Sequence, residues 1–190
     1  MDEVIILASK NIEKLSDTPI AISHISGESL VDQGIVNIQD LMRYAPSFGM
    51  TETALGNILS IRGVRSDANP SFEQAVALYS DGIQLGRAQL ARAPLLDIES
   101  IDVLRGPQSV LLGKHTTAGA LVIRSVQPSD NAEASLQLSY EPEYGDREAR
   151  FMVSGPISDT VLGRMALLSR YIEGFVENST LNHNETTEQE

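Results

Sequence analysis

The sequence predicts an α+β domain with a small mixed β-sheet and short helices, followed by a few antiparallel strands. Three observations predict it. Helix-like spacing is confined to one stretch, where Ile38, Leu41, Met42 and Ala45 fall at i, i+3, i+4 and i+7. From residue 58 to 124 the pattern changes to short apolar segments divided by turn residues. Beyond Pro128-Ser129-Asp130-Asn131 it becomes alternation, with Ala134, Leu136, Leu138 and Tyr140 interleaved by Ser135, Gln137 and Ser139.

The chain opens on the β-branched run Val4-Ile5-Ile6-Leu7. A second β segment follows Pro19, with Ile20, Ile22 and His24 on one face. Two helices are expected next. Gly34 is placed to stop the first, Asn37 to cap the second with Asp40 in its first turn, and Pro46 to end it. Ile58 to Val64 reads as one strand. Ala75 to Leu85 reads as a hairpin with Asp81-Gly82 at its tip, and Ile101 to Leu104 and Ala120 to Ile123 as two further strands. Ser66 to Glu73 reads as an exposed loop. In the alternating part, Arg150 to Gly155 and Val161 to Ile172 are returning strands, with turns at Tyr144-Gly145-Asp146 and Ser158-Asp159. Strands of about ten residues with one apolar face suit a membrane barrel; periodicity alone also allows an ordinary antiparallel sandwich. Asn178 to Glu190 reads as a polar tail.

Composition excludes several functions. The 190 residues carry 14 basic against 26 acidic side chains, a formal charge of -12, which opposes binding to nucleic acid phosphates. Without cysteine there is no disulfide, zinc-thiolate site or Cys nucleophile. No metal spacing links His24, His115 and His183. Neither a cofactor nor a catalytic set is expected, so the chain is not read as an enzyme. Gly106-Pro107 and Gly113-Lys114 do not make a phosphate loop. Six residues separate Gly106 from Gly113 and His115 follows Lys114, where that loop needs four and a Ser or Thr.

The segment Ile98-Glu-Ser-Ile-Asp-Val-Leu-Arg-Gly-Pro-Gln-Ser-Val-Leu-Leu-Gly-Lys-His-Thr-Thr-Ala-Gly-Ala-Leu-Val-Ile123 closely resembles the signature of TonB-dependent receptor plugs. Three further landmarks keep the family's order: Thr18-Pro-Ile-Ala-Ile-Ser, Ile61-Arg62-Gly63 and Tyr79-Ser-Asp-Gly-Ile83. Ala118 and Leu112 depart from it, since the family more often has Gly and an aromatic there. The resemblance implies a plug inside the lumen of an outer-membrane barrel, with its N-terminus in the periplasm. The function it implies is active uptake of a scarce nutrient such as a ferric siderophore. It divides the chain into an N-terminal extension (1–10), a plug (11–128), the first barrel strands (133–175) and a polar tail (176–190). Such barrels close with about 22 strands, so the residues after 133, enough for three or four, imply an incomplete transmembrane β-barrel and a fragment of a longer receptor.

The resemblance also assigns residues. Glu3, Val4, Ile5, Ile6, Leu7 and Ala8 resemble the TonB box, which pairs as an added strand with the periplasmic domain of TonB; the run can equally be the first strand of the plug. Arg62 and Arg105 would anchor the plug to carboxylates of the barrel wall. Arg105 is in phase with Ile101 and Val103, and a bridge inside the plug to Asp102 or Glu99 is the alternative. Gly63, Gly106, Pro107, Gly113, Lys114 and Gly119 would form the signature turns. A small-molecule or metal-chelate ligand would meet the loops Ser66 to Glu73 and Gly86 to Arg92. A soluble periplasmic binding or signalling module on a plug-like domain is the rival reading.

Overall fold

A computed structural model of the chain describes residues 5–6, 13–14, 21–53, 56–65, 74–86, 94–107, 109–113, 115–142, 145–171, 176–178 and 183–185. Two compact units emerge, Met1–Val126 and Gln127–Glu190.

In the first unit, β1 (Ile5–Ile6) pairs antiparallel with β2 (Glu13–Lys14) as a small separate sheet. β3 (Ala21–Ser26) runs into α1 (Gly27–Asp32). The Ser26 hydroxyl caps α1 by accepting from the Ser29 amide at 3.3 Å. The helix stops as expected at Gly34, which has φ 65°. The Gly34 amide donates to Val31 and the Ile35 amide to Leu30, closing the end of the helix over two buried apolar side chains.

The second expected helix is only a 3-10 turn, Asp40–Arg43. Asn37 Oδ1 accepts from the Asp40 amide at 2.9 Å, and Asp40 Oδ2 accepts from the Val36 amide at 3.1 Å. This reciprocal cap starts the turn, and Pro46 leaves too few residues to continue it. Ile38, Leu41 and Ala45 are buried, whereas Met42 lies at the surface.

A three-stranded sheet follows, β4 (Phe48–Thr53), β5 (Gly56–Ile61) and β6 (Val64–Arg65). Here the sequence reading is corrected twice. β4 carried no apolar alternation and was not expected. The strand read from Ile58 to Val64 is broken by a tight turn at Arg62-Gly63, with φ 53° and 78°.

The main sheet has the order β3-β9-β10-β7-β8, from β7 (Val76–Ser80), β8 (Ile83–Leu85), β9 (Ile98–Arg105) and β10 (Gly119–Ser125). β7 and β10 are parallel and the other pairs antiparallel, so the sheet is mixed. The expected hairpin stands, with Asp81 at φ 49° and Gly82 at φ 81°, the left-handed pair that matches strand twist. One sheet face presents Ile101, Val103, Leu121, Ile123 and Leu78 to α1, the 3-10 turn and β5, forming the main core. The opposite face carries a smaller cluster of Ala77, Tyr79, Leu104, Ala120 and Val122.

The second unit is the antiparallel sheet β11 (Glu133–Glu141), β12 (Asp146–Ser158) and β13 (Val161–Tyr171). Its register places Leu136, Phe151 and Leu167 side by side, with Ala134, Val153 and Met165 in the next row. That face is bare, with Leu138 71% and Leu167 54% exposed. The row Tyr140, Arg147 and Tyr171 ends it, the Arg147 guanidinium lying 5.9 Å from the Tyr140 ring centre. On the other face Glu148 receives Arg150 at 2.5 Å and faces Arg170 at 3.7 Å. The tail read as merely polar contains one more pair, β14 (Val176–Asn178) with β15 (His183–Glu185).

Candidate functional site

Parts of the sequence landmarks meet around the turn region between β9 and β10, with Ile61 against Gly119, Tyr79 bonded to Leu112 and Ala21 paired with Arg105. Gly106 leaves β9, α2 (Ser109–Leu112) follows, and Gly119 opens β10. The Gly106 amide donates to the Ala118 carbonyl at 2.9 Å and closes the loop at its base. The buried Thr116 hydroxyl donates to the Gly113 carbonyl at 2.8 Å. Gly63, Gly106, Gly113 and Gly119 all have positive φ, and Pro107 is exposed. Lys114 lies outside the described residues.

At Gly119 two demands coincide. Its φ is 150°, and a Cβ built there would come within 2.1 Å of the Leu104 carbonyl oxygen and 2.8 Å of Ile61 Cδ1. No side chain fits, so the Ile61 of Ile-Arg-Gly packs directly on this glycine. Ala118, where the family more often has glycine, is 5% exposed and sits within the main core.

The Tyr79-Ser-Asp-Gly landmark binds the same region from the other side. The Tyr79 hydroxyl donates to the Leu112 carbonyl at the end of α2. Burial pushes the Tyr79 phenol above its ordinary value of 10.0. At the opposite end of β10, the Asp81 carboxylate accepts from the Ser125 amide at 2.8 Å and from the Ser125 hydroxyl at 2.9 Å. The Thr18-Pro-Ile-Ala landmark reaches the loop through Ala21, which pairs with Arg105.

Arg105 shares the face of Ile101 and Val103 but lies half-buried at the end of its strand. Its Nε is 3.5 Å from the Ala21 carbonyl oxygen. The alternative bridge to Asp102 does not form, because residues three apart on a strand point to opposite faces. Among the described residues Arg105 pairs with no carboxylate. Arg62 is exposed on its turn, held there by a 2.8 Å bond from its amide to the Ser47 carbonyl.

Asp102 instead anchors a cluster that sequence reasoning missed. It is wholly buried, its carboxylate binding the Arg124 guanidinium and, at 2.6 Å, His24 Nδ1. Arg124 Nε also donates to Ser100 Oγ at 3.1 Å. Of the N-terminal residues, Ile5 and Ile6 lie in β1, outside the main sheet. Glu3, Val4, Leu7 and Ala8, and the loops Ser66 to Glu73 and most of Gly86 to Arg92, fall outside the described residues.

This arrangement is matched by a family model described as TonB-dependent Receptor Plug Domain over residues 14–120. The chain belongs to that family. The plug and the strands after it also match whole receptors. The pesticin receptor of Yersinia pestis is 30% identical over 177 residues, covering 90% of this chain and 26% of that protein. The ferrioxamine B receptor of Salmonella typhimurium (strain SL1344) is 27% identical, covering 88% and 24%. Among solved structures, the ferric yersiniabactin uptake receptor FyuA from Yersinia pestis superposes with a TM-score of 0.69 at 29% identity, covering 80% of this chain and 24% of that one. The chain spans about a quarter of the length of these relatives. Its plug therefore has the α+β fold the sequence predicts, followed by barrel-type strands that do not close.

Proposed function

We propose that the chain is the plug and barrel start of an outer-membrane receptor that takes up a ferric siderophore with energy delivered through TonB. One observation carries the reading most. A plug is joined in one chain to a three-stranded sheet whose apolar face is left bare and ends in a tyrosine row. A sheet in water buries such a face, whereas a barrel strand turns it to lipid with aromatics at the interface. The same observation weighs against a soluble periplasmic module. The relatives named as receptors for ferric yersiniabactin and ferrioxamine B support the ligand class.

In this reading residues 11–128 are the plug and 133–175 the first barrel strands, with 1–10 reaching into the periplasm. Glu3 to Ala8 offer a main-chain edge to the periplasmic domain of TonB, and β-branched Val4, Ile5 and Ile6 favour the extended state this needs. Arg62 and Arg105, uncompensated by carboxylates among the described residues, take partners on the barrel wall. The loops Ser66 to Glu73 and Gly86 to Arg92 meet the ligand, and Gly63, Gly106, Pro107, Gly113, Lys114 and Gly119 shape the turns between. The test is uptake of radioactive iron, as ferric yersiniabactin or ferrioxamine B, by iron-starved cells expressing the intact receptor. Uptake that needs both the receptor and TonB is the expected result; binding and uptake of neither chelate would overturn the ligand class, and TonB-independent uptake the mechanism.

A further inference from the structure

The bare face of the second unit carries a single charge among its described residues. Alternation gives this face apolar or small side chains from Ala134 to Leu138 on β11, from Ala149 to Gly155 on β12 and from Val161 to Ser169 on β13. Arg147 stands at its end, with Tyr140 on one side and Tyr171 on the other, all three exposed. Arg150 and Arg170 lie on the opposite face, where both reach Glu148. The carboxylates of Glu141 and Asp146 alternate to that opposite face as well. Arg147 therefore meets no carboxylate among the described residues, and its guanidinium lies 5.9 Å from the Tyr140 ring centre. The length of the face fixes the level of this row. β13 has 11 residues from Val161 to Tyr171, a strand of roughly 33 Å at about 3.3 Å per step. Tilted by about 40°, as barrel strands are, it rises roughly 25 Å, the height of the apolar band of an outer-membrane barrel. With Val161 at one border of the acyl layer, the Tyr-Arg-Tyr row reaches the headgroups at the other. An arginine on the lipid side is costly at the midplane and nearly free at that level.

We infer that Tyr140, Arg147 and Tyr171 form a binding site on the outer wall of the barrel for the phosphate of an anionic lipid. The inference rests on the reading of this face as turned to lipid. A guanidinium is a planar fork that takes two phosphate oxygens at once. Neighbouring strands are about 4.8 Å apart, so the register sets the two tyrosines roughly 10 Å from each other with the guanidinium between them. Each phenol brings an O–H donor to the headgroup level while its ring stays against apolar surface. The rows beginning with Leu138, Ala149 and Ser169 continue directly from this site. They take the acyl chains of the same molecule, which selects a lipid over a free anion.

Nuclear magnetic resonance of the full chain in dodecyl maltoside micelles, whose headgroups carry no phosphate, tests the site. Dilauroyl phosphatidylglycerol is titrated in, with dilauroylglycerol and inorganic phosphate as separate arms. The Arg147 Nε–H and the Tyr140 and Tyr171 ring signals should shift saturably with the phospholipid and with neither of the other two. Arg147→Gln should weaken the response of the tyrosine rings at least about tenfold, and Arg147→Lys should recover part of it. The Leu136 and Phe151 amide signals report whether each variant keeps the sheet. Equal shifts with dilauroylglycerol or with inorganic phosphate would overturn the inference, as would an unaltered ring response in a folded Arg147→Gln chain. Contacts from detergent and lipid acyl protons to the Leu136 and Leu167 methyl groups separate the two levels of the argument. Acyl contacts without a phospholipid response overturn the site alone, whereas their absence overturns the lipid-facing reading together with it.

Discussion

His24 Nδ1 lies 2.6 Å from the carboxylate of Asp102, a contact across β3 and β9 between residues 78 positions apart. Asp102 has no exposed surface, whereas His24 and Arg124 keep 18% and 15% of their side chains in solvent. The three partners are therefore not equivalent. Arg124→Leu strips a buried carboxylate of its cation and should cost about 3–5 kcal/mol. Asp102→Asn leaves Arg124 and His24, whose side chains can still reach water, and should cost less, about 1.5–3 kcal/mol. Urea unfolding of both variants checks the order, and equal costs would contradict the asymmetry.

Arg105→Ala should cost below about 1 kcal/mol in this chain, since a long bond to the Ala21 carbonyl is all it loses among the described residues. In the intact receptor the same change should cost a further 1.5–3 kcal/mol or so through a lost charge-assisted pair. Denaturant unfolding in both contexts decides; equal costs would place the partner inside the plug.

Tyr79 gives a signed pH dependence. Its folded-state value lies above the ordinary 10.0, so below pH 10 both folded and unfolded chains hold the proton and the contribution is complete. As pH rises from 10 through the folded value, the unfolded chain ionises first and stability falls. Tyr79→Phe lacks that fall. Its deficit at neutral pH, about 0.5–1.5 kcal/mol from the lost bond to Leu112, should shrink above pH 10 in paired unfolding curves.

Gly119→Ala meets backbone at 2.1 Å and should cost about 3–5 kcal/mol. Gly113→Ala also has positive φ, but nothing stands within 4 Å of the added carbon, so about 1–2 kcal/mol is expected. Thermal unfolding separates them.

For the proposed coupling segment, Ile5→Pro removes an amide and fixes φ, whereas Ile5→Val keeps the extended preference. Ile5→Pro should leave ligand binding at the cell surface nearly unchanged while abolishing uptake, and Ile5→Val should be tolerated. Normal uptake with Ile5→Pro would remove Glu3 to Ala8 from the coupling role.

What the sequence disclosed was local. The Asp81-Gly82 tip, the stop at Gly34 and the Asn37–Asp40 cap each lie within a few residues of the bonds that make them. The apolar face of 134–140 follows from alternation alone. β4 was illegible because Phe48 to Thr53 is half exposed and mixes small and polar residues. Periodicity missed the turn at Arg62 because a left-handed arginine leaves no trace in composition, although the resemblance assigned Gly63 to a turn. The Asp102 cluster depends on register between distant strands, which no spacing within one segment reports. Strict use of strand alternation would still have ruled out the Asp102–Arg105 pair.

The main sheet also dictates an order of assembly. β3 finds its sheet partner at Ile98–Arg105, and β7 finds its parallel partner at Gly119–Ile123. A chain delivered N-terminus first carries β3 unpaired, and β7 paired on one edge only, with β8, until β9 and β10 arrive. Such long-range pairing closes slowly and leaves edges open to association meanwhile. Roughly the first hundred residues must therefore be kept apart from their neighbours in transit, because the middle of the sheet is the last part of it to be made.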